Sequence, residues 1–331
     1  SDALMQESDR LHAIDLQRLL ERSSAFVEVP CPACNDERRT PLWDKDGFKY
    51  VLCSACGTAY LSPRPPPTLL DEYYKTAENY VFWSRHIFPA SDAARREHIA
   101  RPRVVRLVDI ARRHGLSPGG TLVEVGAGHG TFCEEAASNA FFGRVVAIEP
   151  TPSNAESCRK ARGVEVIEEP IEAVQLGTIA ADVVASFEVI EHLFAPAAFV
   201  SACAKALRPG GLLVLSCPNL HGFEVATLQT ASRTVDPEHL NYFHPTSLRA
   251  LLTRCGLEVV ELLTPGRLDA EIVRKRALAG DFELRDPFVE EILLRRWTEL
   301  GGPFQDFLAN NMLSAHMWAV ARRPSSSEAE S

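Results

Sequence analysis

Four cysteines set the first chemical question. Cys31 and Cys34, then Cys53 and Cys56, form two CxxC pairs separated by 18 residues, the spacing of a four-thiolate zinc site built from two knuckles. Gly57 follows the second pair, where a tight knuckle turn wants a residue without a Cβ. Four soft ligands close a tetrahedral site to water, so this metal is expected to be structural. A second group lies far along the chain. In "FEVIEHL", Glu188, Glu191 and His192 fall within one helical turn, and "DPEHLNYFHP" adds His239, Tyr242 and His244 from a later loop. Imidazoles and carboxylates gathered in this way are the residue types that move protons near neutral pH. A third stretch, "LVEVGAGHGTF", places Gly126, Gly128 and Gly130 at every second position after an apolar run. Such a turn bares backbone N–H groups to a ligand that any Cβ would obstruct.

Dinucleotide folds space these glycines as GxGxxG and seat a diphosphate on the following helix. The spacing here is GxGxG, with Glu124 inside the preceding strand and Glu149 at the end of the next one, where an acid can accept hydrogen bonds from a ribose diol. A turn of this form suits an adenosine without a diphosphate, which is S-adenosylmethionine. The ordered set "EVGAGHG", "AIEP", "DVVASFEVIEH" and "LRPGGLLVLSCPN" resembles the successive motifs of class I S-adenosylmethionine-dependent methyltransferases over about residues 121–263. The resemblance implies that Gly126, Ala127, Gly128 and Gly130 form the cofactor turn and that Glu124 meets the cofactor's amino group. It further implies that Glu149, followed by Pro150, holds the ribose. Glu168, Glu169, Pro170 and Ile171 would edge the adenine, and Phe187 with Glu188 would close the pocket.

Methyl transfer is an in-line displacement, so the protein must align the acceptor and, for a hydroxyl, remove its proton. His192 or His239 is the expected base, with Glu191 and Tyr242 beside them. The first string is also similar to the acid-and-histidine run of the ubiquinone-pathway O-methyltransferases and of small-RNA 2′-O-methyltransferases. By that likeness Glu188, Glu191, His192 and His239 would bind a divalent ion that acidifies the acceptor. FEVI replaces the [DN]PPY that grips an amino nitrogen, which favours oxygen or carbon as target. Cys217, at the end of a strand, is the place where RNA cytosine C5-methyltransferases carry a nucleophile, but their second cysteine motif is missing. The zinc-bearing front end resembles that of deoxysugar C-methyltransferases. This points to a sugar, nucleotide sugar or glycosylated natural product, although the residues after the last expected strand are too few for the extra C-terminal α/β domain of those enzymes.

The elements that must position these groups follow from periodicity. Apolar runs alternating with helical stretches, "TLVEV", "RVVAIE", "VEVI", "DVVASF", "LLVLSC", "LEVVELL" and "LSAHMWAVARR", predict a Rossmann-like, seven-stranded, mostly parallel sheet with helices on both faces. The expected organisation is an N-terminal helix (1–25), a zinc ribbon with short β pieces including "AFVEV" and "KYVLC" and a proline linker (26–67), and an aromatic-rich helical lid region (68–118). The last of these carries a long helix kinked at Pro102. A methyltransferase core (119–263), a helical insertion serving as lid or dimer surface (264–312), a last strand (313–323) and a disordered tail (324–331) complete it. Tyr73, Tyr74, Tyr80, Phe82, Trp83 and Phe88 could form a platform for a planar substrate or pack between modules, and Arg267 and Asp269 could reach the substrate.

A hydrophobic fraction of 46% and a charged fraction of 24% suit an ordinary globular chain, and a net charge of −9 opposes a long grip on phosphate backbones. Residues 26–75 carry seven acids and six bases, which speaks against a ribbon that holds an RNA stem. No membrane-length run or secretory start is evident, so the expected setting is cytoplasmic, with thiols rather than disulfides. A small-molecule substrate is the expected partner, with a homodimer as the expected assembly.

Overall fold

The computed structural model describes residues 2–175 and 179–325; most of the expected disordered tail lies outside them. Eleven strands form two sheets among the described residues. The first contains β1 (Arg39–Lys45), β2 (Phe48–Cys53) and β3 (Ala59–Leu61). The second contains β4 (Thr121–Val125), β5 (Arg144–Ile148), β6 (Val164–Ile167), β7 (Ala181–Phe187) and β8 (Leu207–Pro218). The two-residue strand β9 (Asn241–Tyr242) returns to the first sheet, and β10 (Glu258–Leu263) and β11 (His316–Arg322) complete the second.

The large sheet runs β10-β11-β8-β7-β4-β5-β6, and only β11 is antiparallel to its neighbours. Its central strands are largely apolar and buried because both faces are covered, as parallel sheets require. Successive side chains feed opposite cores. Val123, Val146, Val184 and Leu213 point to one face, with Phe199, Val200 and Leu251 from covering helices. Leu122, Val145, Val183 and Leu212 point to the other, with Leu107, Ala111 and Phe132. This is the Rossmann-like fold expected from the sequence.

Two local expectations change. "AFVEV" makes a single bridge, Val27 to Arg64, in place of a strand. The irregularity expected at Pro102 in the helical stretch before β4 falls just ahead of it. The segments Phe88–Arg95 and Arg101–Arg113 are joined by a π-turn, Arg96–Ala100, which widens the ladder just ahead of the proline.

The small sheet is not a free-standing module. β3 pairs with β9, Ala59 opposite Tyr242 and Tyr60 opposite Asn241, so its fourth strand comes from the chain segment after β8. Its core joins Leu16 and Leu19 of the N-terminal helix (Asp2–Leu20), Phe48 and Tyr50, Leu69 and Tyr73, and Tyr242. In 264–312 the helices Asp269–Leu278 and Trp297–Asn310 enclose a separate cluster around Val273, Leu293 and Leu308. Buried Asp269 ties this insertion to the start of β11, accepting from Ser314 Oγ at 2.5 Å, Gln305 Nε2 at 2.8 Å and Ala315 N. Arg267 pairs with Asp306 at 2.8 Å, so these two groups are engaged within the insertion.

Candidate active site

The three glycines after β4 serve three purposes. Gly126, at φ +78°, lies so close to Val189 that a Cβ would come within 2.6 Å of its Cγ2. Gly130, at φ +77°, starts the helix Thr131–Ser138, and a Cβ there would meet Cys158 Cα at 3.0 Å. Gly128, at φ +56°, faces open space, with nothing within 4 Å of where a Cβ would stand. Two of the glycines therefore answer to packing, and the third leaves room on the wall of a cleft of about 950 Å³. The turn is fastened from behind. Glu149 accepts from Gly128 N at 2.8 Å with one carboxylate oxygen and from Thr151 N at 2.9 Å with the other. Each of those oxygens keeps a second lone pair.

Glu124 sits on the cleft wall with almost no solvent contact, and among the described residues its carboxyl's one hydrogen-bond partner is the Cys133 thiol, which donates at 3.0 Å. Burial raises its pKa to about 8, against the opposing pull of Cys133 and Arg103. A carboxyl kept neutral for want of a cation is suited to receive an ammonium. Arg103 is the matching group for a carboxylate. It lies over the Phe187 ring at 4.8 Å, lines the same cleft, and forms no ion pair among the described residues. Ala127 and Phe187 also line the cleft, and Phe187 packs on Phe132 and Trp318. Glu168 and Glu169 are exposed and Glu168 pairs with Arg159, while the cleft wall on that side is made by Thr151, Pro152, Ser153 and Asn154.

Glu191, His192 and His239 bring one ligand atom each to within 4.8 Å of one another, and Tyr74 of the cleft wall brings its hydroxyl to 3.5 Å from His192 Nδ1. His192 donates through Nδ1–H to Glu238 O at 3.1 Å, and His239 through Nδ1–H to Thr234 O at 2.9 Å. Both imidazoles are thereby set with Nε2 as a lone-pair site. Burial and the neighbouring His239 lower the His192 pKa to about 4, so it stays neutral. Among the described residues both Glu191 oxygens are buried without a hydrogen-bond partner, and burial and nearby Glu188 push that carboxyl upward. Glu188 does not join the cluster. It takes a left-handed turn at φ +56°, accepts from Ser216 Oγ at 2.5 Å and faces His316 Nδ1 at 3.3 Å. Burial opposes its charge, but His316 and Ser216 outweigh it and hold its pKa down to about 2.

Tyr242 stands beside His239, edge-on with 5.8 Å between ring centroids. Its ring packs 5.6 Å from Tyr50 and its hydroxyl is spent on Thr234 O at 2.8 Å and Asp236 N at 2.9 Å. His244 donates to Cys56 O at 2.8 Å, so it braces the cysteine knuckle. Cys217 is fully buried with its thiol pushed up by burial, which removes it as a nucleophile. Sequence reasoning missed Glu238, which accepts from Tyr73 at 2.6 Å and Tyr80 at 2.7 Å and faces His12 Nδ1 at 3.3 Å. It also missed Arg103, for which one signal existed: a cation on the apolar stripe Ala100, Leu107, Ala111. Tyr74, Tyr80 and Phe88 line the cleft, whereas Tyr73 belongs to the small sheet's core.

The four cysteines converge. Cys31 and Cys56 Sγ are 3.5 Å apart, as are Cys34 and Cys53, and all four sulfurs lie within 4.8 Å of one another.

A family model described as a methyltransferase domain matches residues 93–262, just over half of the chain. The chain belongs to this methyltransferase family, and fold and motifs make it a class I S-adenosylmethionine-dependent enzyme. A probable S-adenosylmethionine-dependent methyltransferase of Mycolicibacterium smegmatis is 39% identical over 82 residues, 25% of this chain and 30% of that protein. A ubiquinone biosynthesis O-methyltransferase of Caulobacter vibrioides is 32% identical over 145 residues, 40% of this chain and 57% of that one. The matches thus span from under a third to just over half of these relatives. Among solved structures, an S-adenosylmethionine-bound Haemonchus contortus phosphoethanolamine N-methyltransferase 2 overlays with TM-score 0.44 at 17% identity, covering 66% of this chain and 52% of that one. No described helix is long and apolar enough to cross a membrane.

Proposed function

We propose that this enzyme transfers a methyl group to a hydroxyl of a small polar metabolite, a sugar, nucleotide sugar or glycosylated natural product, with a histidine as general base. The observation that carries this reading is the pair His192 and His239, each pinned through Nδ1–H to a backbone carbonyl, beside Glu191. In this reading the glycine turn and Glu124 receive the methionine part of S-adenosylmethionine, Glu149 adds the ribose diol to its present partners, and Arg103 meets the carboxylate. The cofactor supplies an electrophilic methyl on sulfur. The chain's own groups orient the acceptor and accept its proton at Nε2 of His239 or His192.

Two unpartnered Glu191 oxygens beside two oriented imidazoles also favour a divalent ion at Glu191, His192 and His239, with Glu188 outside the set. Such an ion would lower the acceptor's pKa, and the histidines would then serve as ligands. Carbon methylation needs the same base beside an acidic C–H. An RNA acceptor is disfavoured because the cysteine module is packed into the body of the protein and has no basic excess. The four cysteines are proposed to hold a structural zinc.

The test is turnover of a metabolite panel followed by mass spectrometry for the gain of one methylene, with a His239→Ala variant alongside. Loss of product with cofactor binding intact supports the reading. Full turnover by the variant removes His239 from the mechanism, and metal analysis of Glu191→Gln separates ion from base.

A further inference from the structure

The cleft's charge is unbalanced in a way that names the acceptor's chemistry. Its wall carries Lys75, Arg85, Arg95 and Arg103 against only Asp92 and Glu124. Lys75 is answered by Asp71 at 2.8 Å, and Asp92 lies against Arg96 at 3.6 Å. Among the described residues no carboxylate comes within ion-pair distance of Arg85 or Arg95. Neighbouring arginines are tied up, Arg96 with Glu134 and Glu135 and Arg101 with Glu97 and Glu135, which leaves Arg85 and Arg95 as the cleft's available guanidinium groups beside Arg103. Arg95 is also built into place: its guanidinium lies 4.7 Å over the Phe88 ring, and Phe88 packs 4.3 Å from His129 in the glycine turn.

Accounting for the cofactor sharpens the imbalance. S-adenosylmethionine brings a sulfonium, an ammonium and a carboxylate. Glu124 matches the ammonium and Arg103 the carboxylate. The sulfonium, Arg85 and Arg95 are then left without a counter-charge in a cleft of about 950 Å³. Arg85 and Arg95 are exposed, so water and salt weaken the repulsion among these three like charges without abolishing it, and an anion entering last relieves it. Guanidinium pairs are best matched by phosphate oxygens.

We infer that the methyl acceptor carries a phosphate ester and that Arg85 and Arg95 hold it while the hydroxyl to be methylated lies toward the histidines. The inference rests on the small-molecule acceptor proposed above and narrows it to a phosphorylated or nucleotide-linked one. A nucleic acid is the less favoured source of phosphate, because a net charge of −9 repels a polyanion outside the cleft.

The test is calorimetry on the full chain saturated with S-adenosylhomocysteine, titrated with inorganic pyrophosphate, inorganic phosphate and a single-stranded RNA oligomer. Pyrophosphate is expected to bind, more weakly as salt is raised, and an Arg85→Ala/Arg95→Ala variant to bind it at least tenfold less tightly while holding S-adenosylhomocysteine within about threefold. Phosphate binding more tightly than pyrophosphate, with the same loss, supports a monoester acceptor. Absence of pyrophosphate and phosphate binding, or equal affinity in the double variant, overturns the inference, as does RNA outcompeting both. Methylation of a neutral sugar with KM unchanged in the double variant also overturns it, yet leaves hydroxyl methylation standing. Pyrophosphate binding with no methylated product from any hydroxyl acceptor has the opposite meaning, sinking the hydroxyl reading alone.

Discussion

Gly128 and Glu124 bear on binding in ways that stability measurements can separate. A Gly128→Ala side chain meets no protein atom, so the cost in stability is the left-handed backbone alone, about 1–2 kcal/mol. The methyl would project into the cleft, and calorimetry should show cofactor affinity falling by at least tenfold. Gly126→Ala should instead unfold readily, since its Cβ collides with Val189. Glu124 adds a pH signature. Its carboxyl holds a proton up to about pH 8 in the empty cleft, and an arriving ammonium favours the ionised form. Binding should therefore release a proton, and S-adenosylhomocysteine affinity should rise from pH 6 to 8, by at most about tenfold per unit. Glu124→Gln should bind weakly with a flat profile; a slope that survives in that variant would assign the proton to another group. Much of this site was legible in the sequence, because GxGxG and an acid at the next strand end are set by local turn chemistry. Glu238 and His12 were not, since nothing local distinguishes a glutamate in "DPEHL" or a histidine in an amphipathic helix from solvated ones.

Among the elements, β9 links the cysteine module to the cluster of Glu191, His192 and His239. Leu61 N donates to Leu240 O at 2.9 Å, and Tyr50 OH reaches His239 O at 3.1 Å. Asn241 Nδ2 donates to Ile190 O, Glu191 O and Leu193 O, at 3.2, 3.3 and 2.8 Å. One amide side chain thus fastens the segment bearing Glu191 and His192 to the one bearing His239. Asn241→Ala should cost about 1–3 kcal/mol and lower kcat while leaving cofactor affinity near wild type. The proposed zinc acts on the same strand from its other side. Cys53→Ser should remove about one zinc per chain by elemental analysis and speed hydrogen exchange at Leu61 and His239; unchanged exchange at both would detach the metal from the site. The parallel strands were readable from their apolar runs. β9 was not, because two residues carry no periodicity and their pairing depends on a partner far away in the chain.

For the molecule as a whole, stability and pH are coupled through buried charges of opposite habit. Burial opposes a charge on His12, but Asp236 and Glu238 overcome it and raise its pKa to about 10. Its contribution is complete below the ordinary histidine pKa and fades as pH rises through 10. Glu124 works against the empty protein over a different window, because the native state retains a proton that the unfolded chain gives up above about 4.5. The empty enzyme should therefore lose thermal stability as pH climbs from 5 to 8, and Glu124→Gln should flatten that decline. His12→Ala should lower stability at pH 7 by about 2 kcal/mol, with the deficit narrowing as pH rises from 7 toward 10.

The shared strand also has a consequence for biogenesis. While the ribosome is still making the front of the protein, all four thiols can already take a metal, yet the sheet beside them lacks its closing edge until synthesis has passed Tyr242. The nascent front half must wait with β3 uncovered, and a fragment ending before that point should expose a sticky border and fail to mature alone.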